Sequence, residues 1–536
     1  MNRPTIAMRV LLLSACLVLG FGLQTSAQTK STVPQRGIQD TGAPKVAPST
    51  PGPQVVRGGI LKGIRSTFPK NLGYQAEQSP TDTIFAHAYA ERLVNWDDNG
   101  NLVPSLAESW EGDPKNKTVT FHLRKGVKFH DGTPFNAEAA KWSFECAKET
   151  GKLTDGQFVQ SIEVLDEHTV RLNCTDYTSM SIYNYGWVQQ FSPTAFKLNG
   201  GKEWARLHAV GTGPFKLVEF KRDSLIRYER NNDYWRKGFP LLDGMEVRFV
   251  PDPVTSQMMM EAKEADVWLE TSNVKSTLDL EKKGFKVNWG PGMLWALLPS
   301  NAKDPKSPYA NKKVREAVEY AIDRPVIAKA IGLGKYEPLT QIVPSFSPAY
   351  DPNCNLRPFN PEKAKQMLAE AGYPNGFTTK LLITSDLQDG GTALQTYLGA
   401  VGIKVDLDVA DLGRYFGSLY SPAGWTDLAL SASGIHPDGT DVFVHFGPRP
   451  LTYRTGFIAK SPEFLAACEK ALKTYEPAAH MKAVQQAVRL ASEDAIVIPV
   501  WRSAQALIMQ SYVHTDYIKA HSTTWRTYED WMEERR

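Results

Sequence analysis

Apolar and polar positions follow two different periods along this chain, and the two periods predict a mixture of strands and helices. Residues 118–123 (TVTFHL) are apolar at every second position, which predicts a half-buried strand. Asn136 precedes a segment whose apolar positions fall on one helical stripe, so we expect it to cap a helix. Alternating segments on both sides of residues 166–167 and of residues 221–224 predict two hairpins.

The second half of the chain carries stronger helix signals. Asn311 is a candidate N-cap, and both Asn360 and Ser461 precede a proline at the first helical position. Residues 401–409 (VGIKVDLDV) and 495–501 (AIVIPVW) predict strands, the second of them buried. Because no sequence period of about 20 to 50 residues repeats, solenoids and propellers are excluded. The predicted fold class is α/β.

The first residues resemble a targeting segment rather than part of the fold. Residues 10–23 form a largely apolar run that is too short to span a bilayer, after a basic start and before the small residues 25–27. We predict a signal peptide at residues 1–27 and a flexible Pro/Ser/Thr-rich linker at residues 28–56. Lipidation at Cys16, within residues 13–16 (LSAC), and an uncleaved anchor remain alternatives. The protein is therefore expected to be exported.

Composition narrows the class of partner. The 536 residues carry a net charge of +3 without a basic block, which argues against nucleic acid. The hydrophobic fraction of 42% is ordinary for a globular protein with two to four domains. Four cysteines follow the predicted leader, at positions 146, 174, 354 and 468. An even number permits disulfides in an oxidising compartment, and four free thiols remain the alternative.

Motifs of catalysis are absent from the sequence. It contains no zinc-protease helix motif, no serine-hydrolase elbow and no phosphate-binding loop. Gly211 and Gly213 begin like a dinucleotide loop, but Lys216 stands where the third glycine belongs. The histidines are not spaced as metal ligands on one helix face. We expect no enzyme, no cofactor and no metal; a secreted hydrolase remains an alternative, since catalytic groups need not be neighbours in sequence.

Five ordered blocks carry a resemblance to a known family. Residues 106–146 read LAESWEGDPKNKTVTFHLRKGVKFHDGTPFNAEAAKWSFEC, and four shorter blocks follow at residues 211–235, 314–323, 360–372 and 498–501. Together they resemble the peptide/nickel family of extracytoplasmic solute-binding proteins of ABC importers, which includes the dipeptide- and oligopeptide-binding proteins. The resemblance covers about residues 57–530.

That resemblance implies an architecture and a mode of action. It implies a two-lobed periplasmic-binding-protein type II fold, with lobe I at 57–304 and 498–536, lobe II at 305–497, and an extra subdomain inserted in lobe I at about 91–210. Crossings near 289–304 and 498–502 would form the hinge, and the lobes would close on a solute between them. We expect a monomer, in the periplasm or tethered to the outer face of the cytoplasmic membrane, that delivers its solute to membrane permease subunits; a chemosensor or regulator remains the alternative partner.

The presumed ligand loop departs from the family pattern. In peptide-binding members a Trp is followed three residues later by an Asp that pairs with the ammonium group of the peptide. Alignment places Leu430 and Ser433 at these positions. A serine cannot neutralise a buried ammonium, so a free α-amino ligand held in the usual way is disfavoured. His436 and Asp438 lie nearby, and Asp438 could substitute if the register is shifted.

The other candidate ligand residues are mostly aromatic. They are Tyr74, Tyr185, Trp187, Arg414 and Trp501, each of which could instead serve packing or surface solvation. Family frequency favours a peptide or modified peptide as the solute. Because aromatic platforms with few fixed charges suit sugars, an oligosaccharide or another neutral solute is the alternative.

Overall fold

The computed structural model describes residues 55–97, 101–301, 304–354, 356–420, 424–433, 438–448, 457–515 and 525–534. The predicted leader and linker up to residue 54, and the candidate His436, lie outside the described residues. Among the described residues, no helix is both long and apolar enough to cross a membrane.

Strands and helices alternate through most of the chain. The strands are β1 (Ile60–Arg65), β2 (Val94–Trp96), β3 (Leu102–Pro104), β4 (Ala107–Asp113), β5 (Thr118–Leu123), β6 (Val159–Asp166), β7 (Thr169–Cys174), β8 (Phe215–Lys221), β9 (Leu225–Arg230), β10 (Gly244–Phe249), β11 (Val267–Thr271), β12 (Lys286–Pro299), β13 (Glu337–Pro338), β14 (Phe377–Thr384), β15 (Ile403–Ala410), β16 (Leu428–Ser433), β17 (Ile498–Met509), β18 (Val513–His514) and β19 (Trp531–Met532).

The α-helices are α1 (Pro80–Ala86), α2 (Ala137–Glu149), α3 (Ser181–Gly186), α4 (Pro193–Leu198), α5 (Lys202–Ala205), α6 (Pro253–Glu261), α7 (Val274–Lys282), α8 (Lys312–Ala321), α9 (Arg324–Ile331), α10 (Pro361–Glu370), α11 (Gln388–Gly399), α12 (Leu412–Tyr420), α13 (Asp441–Phe446), α14 (Pro462–Leu472) and α15 (Pro477–Glu493). Short 3₁₀ helices occur at Gln75–Glu77, Gly156–Phe158, Pro308–Ala310, Ser385–Leu387 and Thr527–Glu529.

One long mixed sheet runs through the molecule. Its strand order is β15-β14-β16-β12-β17-β11-β1-β10-β9-β8, with β13 paired to β17 at the side. The half from β11 to β8 is built from residues 60–271, and the half from β15 to β16 from residues 377–433. β1 and β10 pair in parallel inside the first half, and β14 pairs in parallel with β15, the edge strand of the second half.

Two long strands join these halves. The first part of β12, residues 286–291, pairs with residues 504–509 of β17. Residues 294–299 pair with β16 on one side, and residues 294–297 still pair with residues 498–502 of β17 on the other. The β12–β17 register shifts between Pro291 and Leu294 and again between Trp295 and Ala296. Both strands lie in segments where the sequence predicts crossings between lobes.

Residues between α1 and β8 form a separate layer beside the first half, which we call the subdomain. Its sheet has the order β4-β5-β7-β6, and α2 packs on it through Ala140, Phe144 and Ala147. These three side chains are fully buried with the apolar face of β5. The limits of about 91–210 assigned from the sequence, like the lobe boundaries, stay predictions.

Local sequence signals predict most of these elements well. Asn136, Asn311, Asn360 and Ser461 each accept a hydrogen bond from a backbone N–H of the helix that follows, as the sequence predicts. Both hairpins are confirmed, as β6–β7 and β8–β9. The predicted strand at 495–501 is corrected: β17 begins at Ile498 and continues to Met509, because the polar residues after position 501 are paired with β12.

The structure shows whether the four cysteines form disulfides. Cys146, Cys174, Cys354 and Cys468 are free thiols in the structure, and all but Cys146 are buried. Burial raises the pKa of the Cys468 thiol to about 12, and that of Cys146 to about 12 as well, so both are held in the unreactive protonated form.

Candidate functional site

The crossing strands bring residues from both halves of the sheet into one row. Ser433 is the register partner of Leu294, and Leu294 is the partner of Arg502. Because neighbouring strands lie about 4.8 Å apart, the backbones of Ser433 and Arg502 are roughly 10 Å apart. Direct partners share one face of a sheet, so all three side chains leave the sheet on the same side.

Arg502 is fixed by an ion pair at this junction. Its Nε donates to Glu337 Oε2 at 2.7 Å, with both side chains about four-fifths buried. Its guanidinium also lies over the ring of Phe346, 5.0 Å from the ring centre. The Ser345 backbone N–H donates to the second oxygen of Glu337 at 3.1 Å. The junction therefore contains an oriented charge pair rather than a solvated arginine.

A second ion pair lies where β1 and β11 end. Both β11 and β12 are antiparallel to β17, and β1 is parallel to β11, so β1, β11 and β12 all run toward the second half of the sheet. Arg65, the last residue of β1, pairs with Glu270, whose backbone has a positive φ of 53°. Ligands of open α/β sheets bind outside the carboxyl ends of the strands, which is where these charges lie.

An aromatic cluster of the subdomain faces the second half. Ring centres are 5.1 Å apart for Trp96 and Tyr183, 5.1 Å for Tyr183 and Trp187, and 6.5 Å for Trp96 and Trp187. Tyr183 packs against the buried cluster that contains Leu294, on the same side of the sheet as Ser433. The guanidinium of Arg92 covers Trp187 at 3.8 Å from the ring centre. We call these three rings the aromatic wall, and Tyr183 brings it against the core cluster that contains Leu294.

The subdomain also touches the end of α14 directly, in a contact that we call the clasp. Asp176 forms an ion pair with Lys473, whose Nζ also donates to the carbonyl of Tyr177 at 2.8 Å. The hydroxyl of Tyr475 donates to the same carbonyl at 3.2 Å, and its ring meets the ring of Tyr177 edge-on at 5.4 Å. The clasp therefore links the subdomain to the end of α14 through one ion pair, two hydrogen bonds and one ring contact.

Three of the sequence-predicted site residues are packed inside cores. Tyr74 is 2% exposed and stacks on Phe196 at 5.4 Å. Tyr185 is fully buried, with Cys174 Sγ 3.6 Å from its hydroxyl. Trp501 is 2% exposed and stacks on Trp295 on the face opposite Ser433. Burial of the whole ring argues for packing roles here, because no free ring face is left for a ligand.

The other predicted residues divide into two groups. Arg414 is exposed and engaged in a two-pronged ion pair with Asp408, at 2.6 and 3.0 Å. Asp438 accepts hydrogen bonds from the backbone N–H and the hydroxyl of Thr440, at 3.0 and 2.7 Å, which is a local turn role. Ser433, at the junction, and Trp187, in the aromatic wall, remain candidate ligand contacts.

Sequence reasoning missed the charged residues of the site. Arg65 ends a segment with one apolar face, and Arg502 follows a continuous apolar strand, so both look like the point where a buried strand meets solvent. Their partners, Glu270 and Glu337, are more than 150 positions away in sequence from Arg65 and Arg502 respectively, with separations of 205 and 165 residues. The one sequence feature that could have indicated these site residues is an arginine directly after an apolar strand segment.

This arrangement defines a class of protein. Two halves joined by two crossing strands, with charged strand ends and an aromatic wall facing the space between them, form a two-lobed binding protein of the type II fold with an inserted subdomain. Such a protein encloses a solute by hinge motion of its lobes.

Comparison with known proteins gives the family. Residues 101–446 match the model of the bacterial extracellular solute-binding proteins, family 5 (middle region), and the chain belongs to that family. The glutathione-binding protein GsiB of Escherichia coli (strain K12) is 28% identical over 469 residues, covering 82% of this chain and 88% of that protein. Family members are extracytoplasmic receptors that pass solutes to ABC permeases, and this chain is one of them.

Solved structures show the same fold. DppA of Helicobacter pylori, in complex with the peptide STSA, has a TM-score of 0.77 at 24% identity and covers 89% of this chain and 99% of its own. AgaA of A. tumefaciens R10, in complex with agropinic acid, has a TM-score of 0.76 at 26% identity, with the same coverage of 89% and 99%. The fold expected from the sequence is confirmed.

Proposed function

We propose that this receptor encloses a small peptide-like solute between lobe I (57–304 and 498–536) and lobe II (305–497). The observation that carries the proposal is the junction: Ser433 and Arg502 leave the sheet on the side against which Tyr183 packs. A solute there would touch lobe II, the crossing strands and the subdomain together. Only a ligand that binds the closed form better than the open form can drive closure.

Similar proteins support a peptide-like solute. The similar proteins bind glutathione, the peptide STSA and agropinic acid, whereas the oligosaccharide alternative gains no support from them. Ser433 occupies the place of the ammonium-pairing Asp of peptide binders. We therefore expect a modified peptide or amino-acid conjugate to bind better than an ordinary dipeptide with a free α-amino group.

The proposal includes the absence of turnover. No described residues of the cleft place a nucleophile beside a general base; the charged groups at the junction are arginine–carboxylate pairs. The solute should leave the protein chemically unchanged. The similarity to solute-binding proteins supports this reading over that of a secreted hydrolase.

A thermal-shift panel tests the solute class. The purified protein, stripped of solute by unfolding and refolding, is heated with dipeptides, glutathione, opine-type acids and cellooligosaccharides. A true solute at 100 times its dissociation constant adds roughly 2.7 kcal/mol to the free energy of unfolding. Stabilisation by a conjugate or peptide supports the proposal, and stabilisation by oligosaccharides alone would overturn it.

A further inference from the structure

A small cavity lies behind the aromatic wall, between the end of α1 and the C-terminal segment. It is lined by His87, Glu91, Arg92, Asn95, Arg236 and Tyr528, among others. The guanidinium of Arg92 lies between this cavity and the ring of Trp187. Arg92 therefore links the cavity to the aromatic wall.

Arg92 is a buried cation that has no counter-ion among the described residues. Arg92 is only 6% exposed, yet its side chain forms no ion pair or hydrogen bond with the described residues. Its Nε is buried without a partner among them. Burial lowers the pKa of Arg92 to about 10. An ionised group removed from water without compensation is costly, so this position calls for an anion.

Two other orphaned donors line the same cavity. The backbone N–H of Trp525 donates to Nδ1 of His87 at 3.3 Å, which leaves the proton of the neutral imidazole on Nε2. That Nε2 and the Nε of Arg236 are buried without partners among the described residues. Every orphaned buried side-chain atom of the described lining residues is thus a nitrogen that can donate.

The neighbouring carboxylate is already occupied. Glu91 accepts hydrogen bonds from the hydroxyl of Thr212 at 2.9 Å, the hydroxyl of Tyr234 at 2.9 Å and the indole of Trp235 at 2.8 Å. Three donors satisfy most of its acceptor capacity, and it forms no ion pair with Arg92 within the described part of the chain. The cavity therefore keeps an excess of positive charge and of donors.

We infer that this cavity is a binding site for a small oxyanion of the carboxylate class, held by Arg92 with His87 and Arg236. Guanidinium groups bind carboxylates through charge-assisted hydrogen bonds, which neutral ligands or water cannot match. The anion could be a carboxylate of the transported solute, in which case the inference rests on the proposed function. A free small anion bound in the cavity, where it would hold Arg92 against the ring of Trp187, would have the same chemistry.

Titration of the solute-free full chain with sodium acetate and sodium phosphate, at constant ionic strength, tests the site. Binding is followed by calorimetry and by tryptophan fluorescence, because Arg92 covers Trp187. We expect saturable one-to-one binding of acetate that Arg92→Gln weakens about tenfold or more, as removal of one member of a buried charge pair does. Arg227→Gln is the matched control: Arg227 is exposed and paired with Glu219 and Glu246, and its loss should leave acetate binding unchanged.

Two arms distinguish the sources of the anion. If the anion belongs to the solute, acetate competes with the solute and Arg92→Gln weakens solute binding too; if it is separate, acetate and solute bind together. Absence of saturable acetate or phosphate binding to the wild-type chain, with solute binding unaffected in Arg92→Gln, overturns the inference. Failure of the wild-type chain to bind any solute would refute the proposed function instead. If Arg92→Gln does not fold, acetate titrations of the wild-type chain and of Arg92→Lys test the site instead.

Discussion

The clasp between the subdomain and α14 predicts how strongly closure and affinity are linked. Lys473→Met with Tyr475→Leu removes the ion pair to Asp176, two hydrogen bonds to the carbonyl of Tyr177 and one edge-on ring contact. The backbone hydrogen bond from Ser179 to the carbonyl of Leu472, at 2.8 Å, is left intact. The double variant thus tests side chains that join two lobes without altering the candidate ligand contacts.

The magnitude follows from exposure and geometry. The ion pair is partly exposed, with 40% of Lys473 and 24% of Asp176 accessible, so solvent limits it to less than about 1 kcal/mol. Each hydrogen bond contributes about 1 kcal/mol or less, and an edge-on aromatic pair about 0.5–1.5 kcal/mol. Allowing for non-additivity, we expect a loss of about 2 kcal/mol from the closed form. If the clasp forms only on closure, solute affinity falls about 30-fold.

Calorimetry with the solute found by the thermal-shift panel measures this effect. Lys283→Met is the matched control, because Lys283 pairs with Glu261 at 2.6 Å within lobe I and is similarly exposed. The control should bind solute as the wild type does. Unchanged affinity in the double variant, together with a lower unfolding temperature of the solute-free protein, would show that the clasp is present in the open form and would refute the reasoning.

Three further predictions concern single positions. Ser433→Asp should create measurable calorimetric affinity for dipeptides and lower the free energy of unfolding by about 1–3 kcal/mol, since the site is only 8% exposed; unchanged binding of every ligand would exclude Ser433 from the cleft. Glu337→Gln should lower the free energy of unfolding in urea by about 1–3 kcal/mol, because Arg502 loses a buried partner; no change would mean that the pair is solvated. Burial lowers the pKa of His130 to about 4. As the pH falls below about 6.5, this histidine therefore becomes protonated in the unfolded chain but stays neutral in the folded protein. Stability should therefore decline between those pH values, by at most about 1.4 kcal/mol per pH unit, and His130→Gln should reduce that slope in urea titrations; an equal slope would contradict the assignment.

Local elements were predictable because their causes are local. Asn136 and Ser461 cap helices with their own side chains, and the alternation in β5 depends only on which face is buried. The extent of β17 was not predictable, since Arg502 is paired with β12 and Glu337 rather than with sequence neighbours.

The candidate site was predictable only in part. An aromatic residue in a core and one in a cleft have the same sequence pattern, which is why Tyr74 and Trp501 were proposed alongside Trp187. Arg92 gave no signal, because an arginine usually indicates a solvated surface and its missing counter-ion is a property of three-dimensional packing.

Native mass spectrometry of the purified protein, before and after incubation with the solute panel, tests the central claim most directly. The account predicts one solute per chain, released on denaturation with its mass unchanged and belonging to the peptide or amino-acid-conjugate class. Release of a chemically altered compound, or no bound mass with any member of the panel, would contradict it.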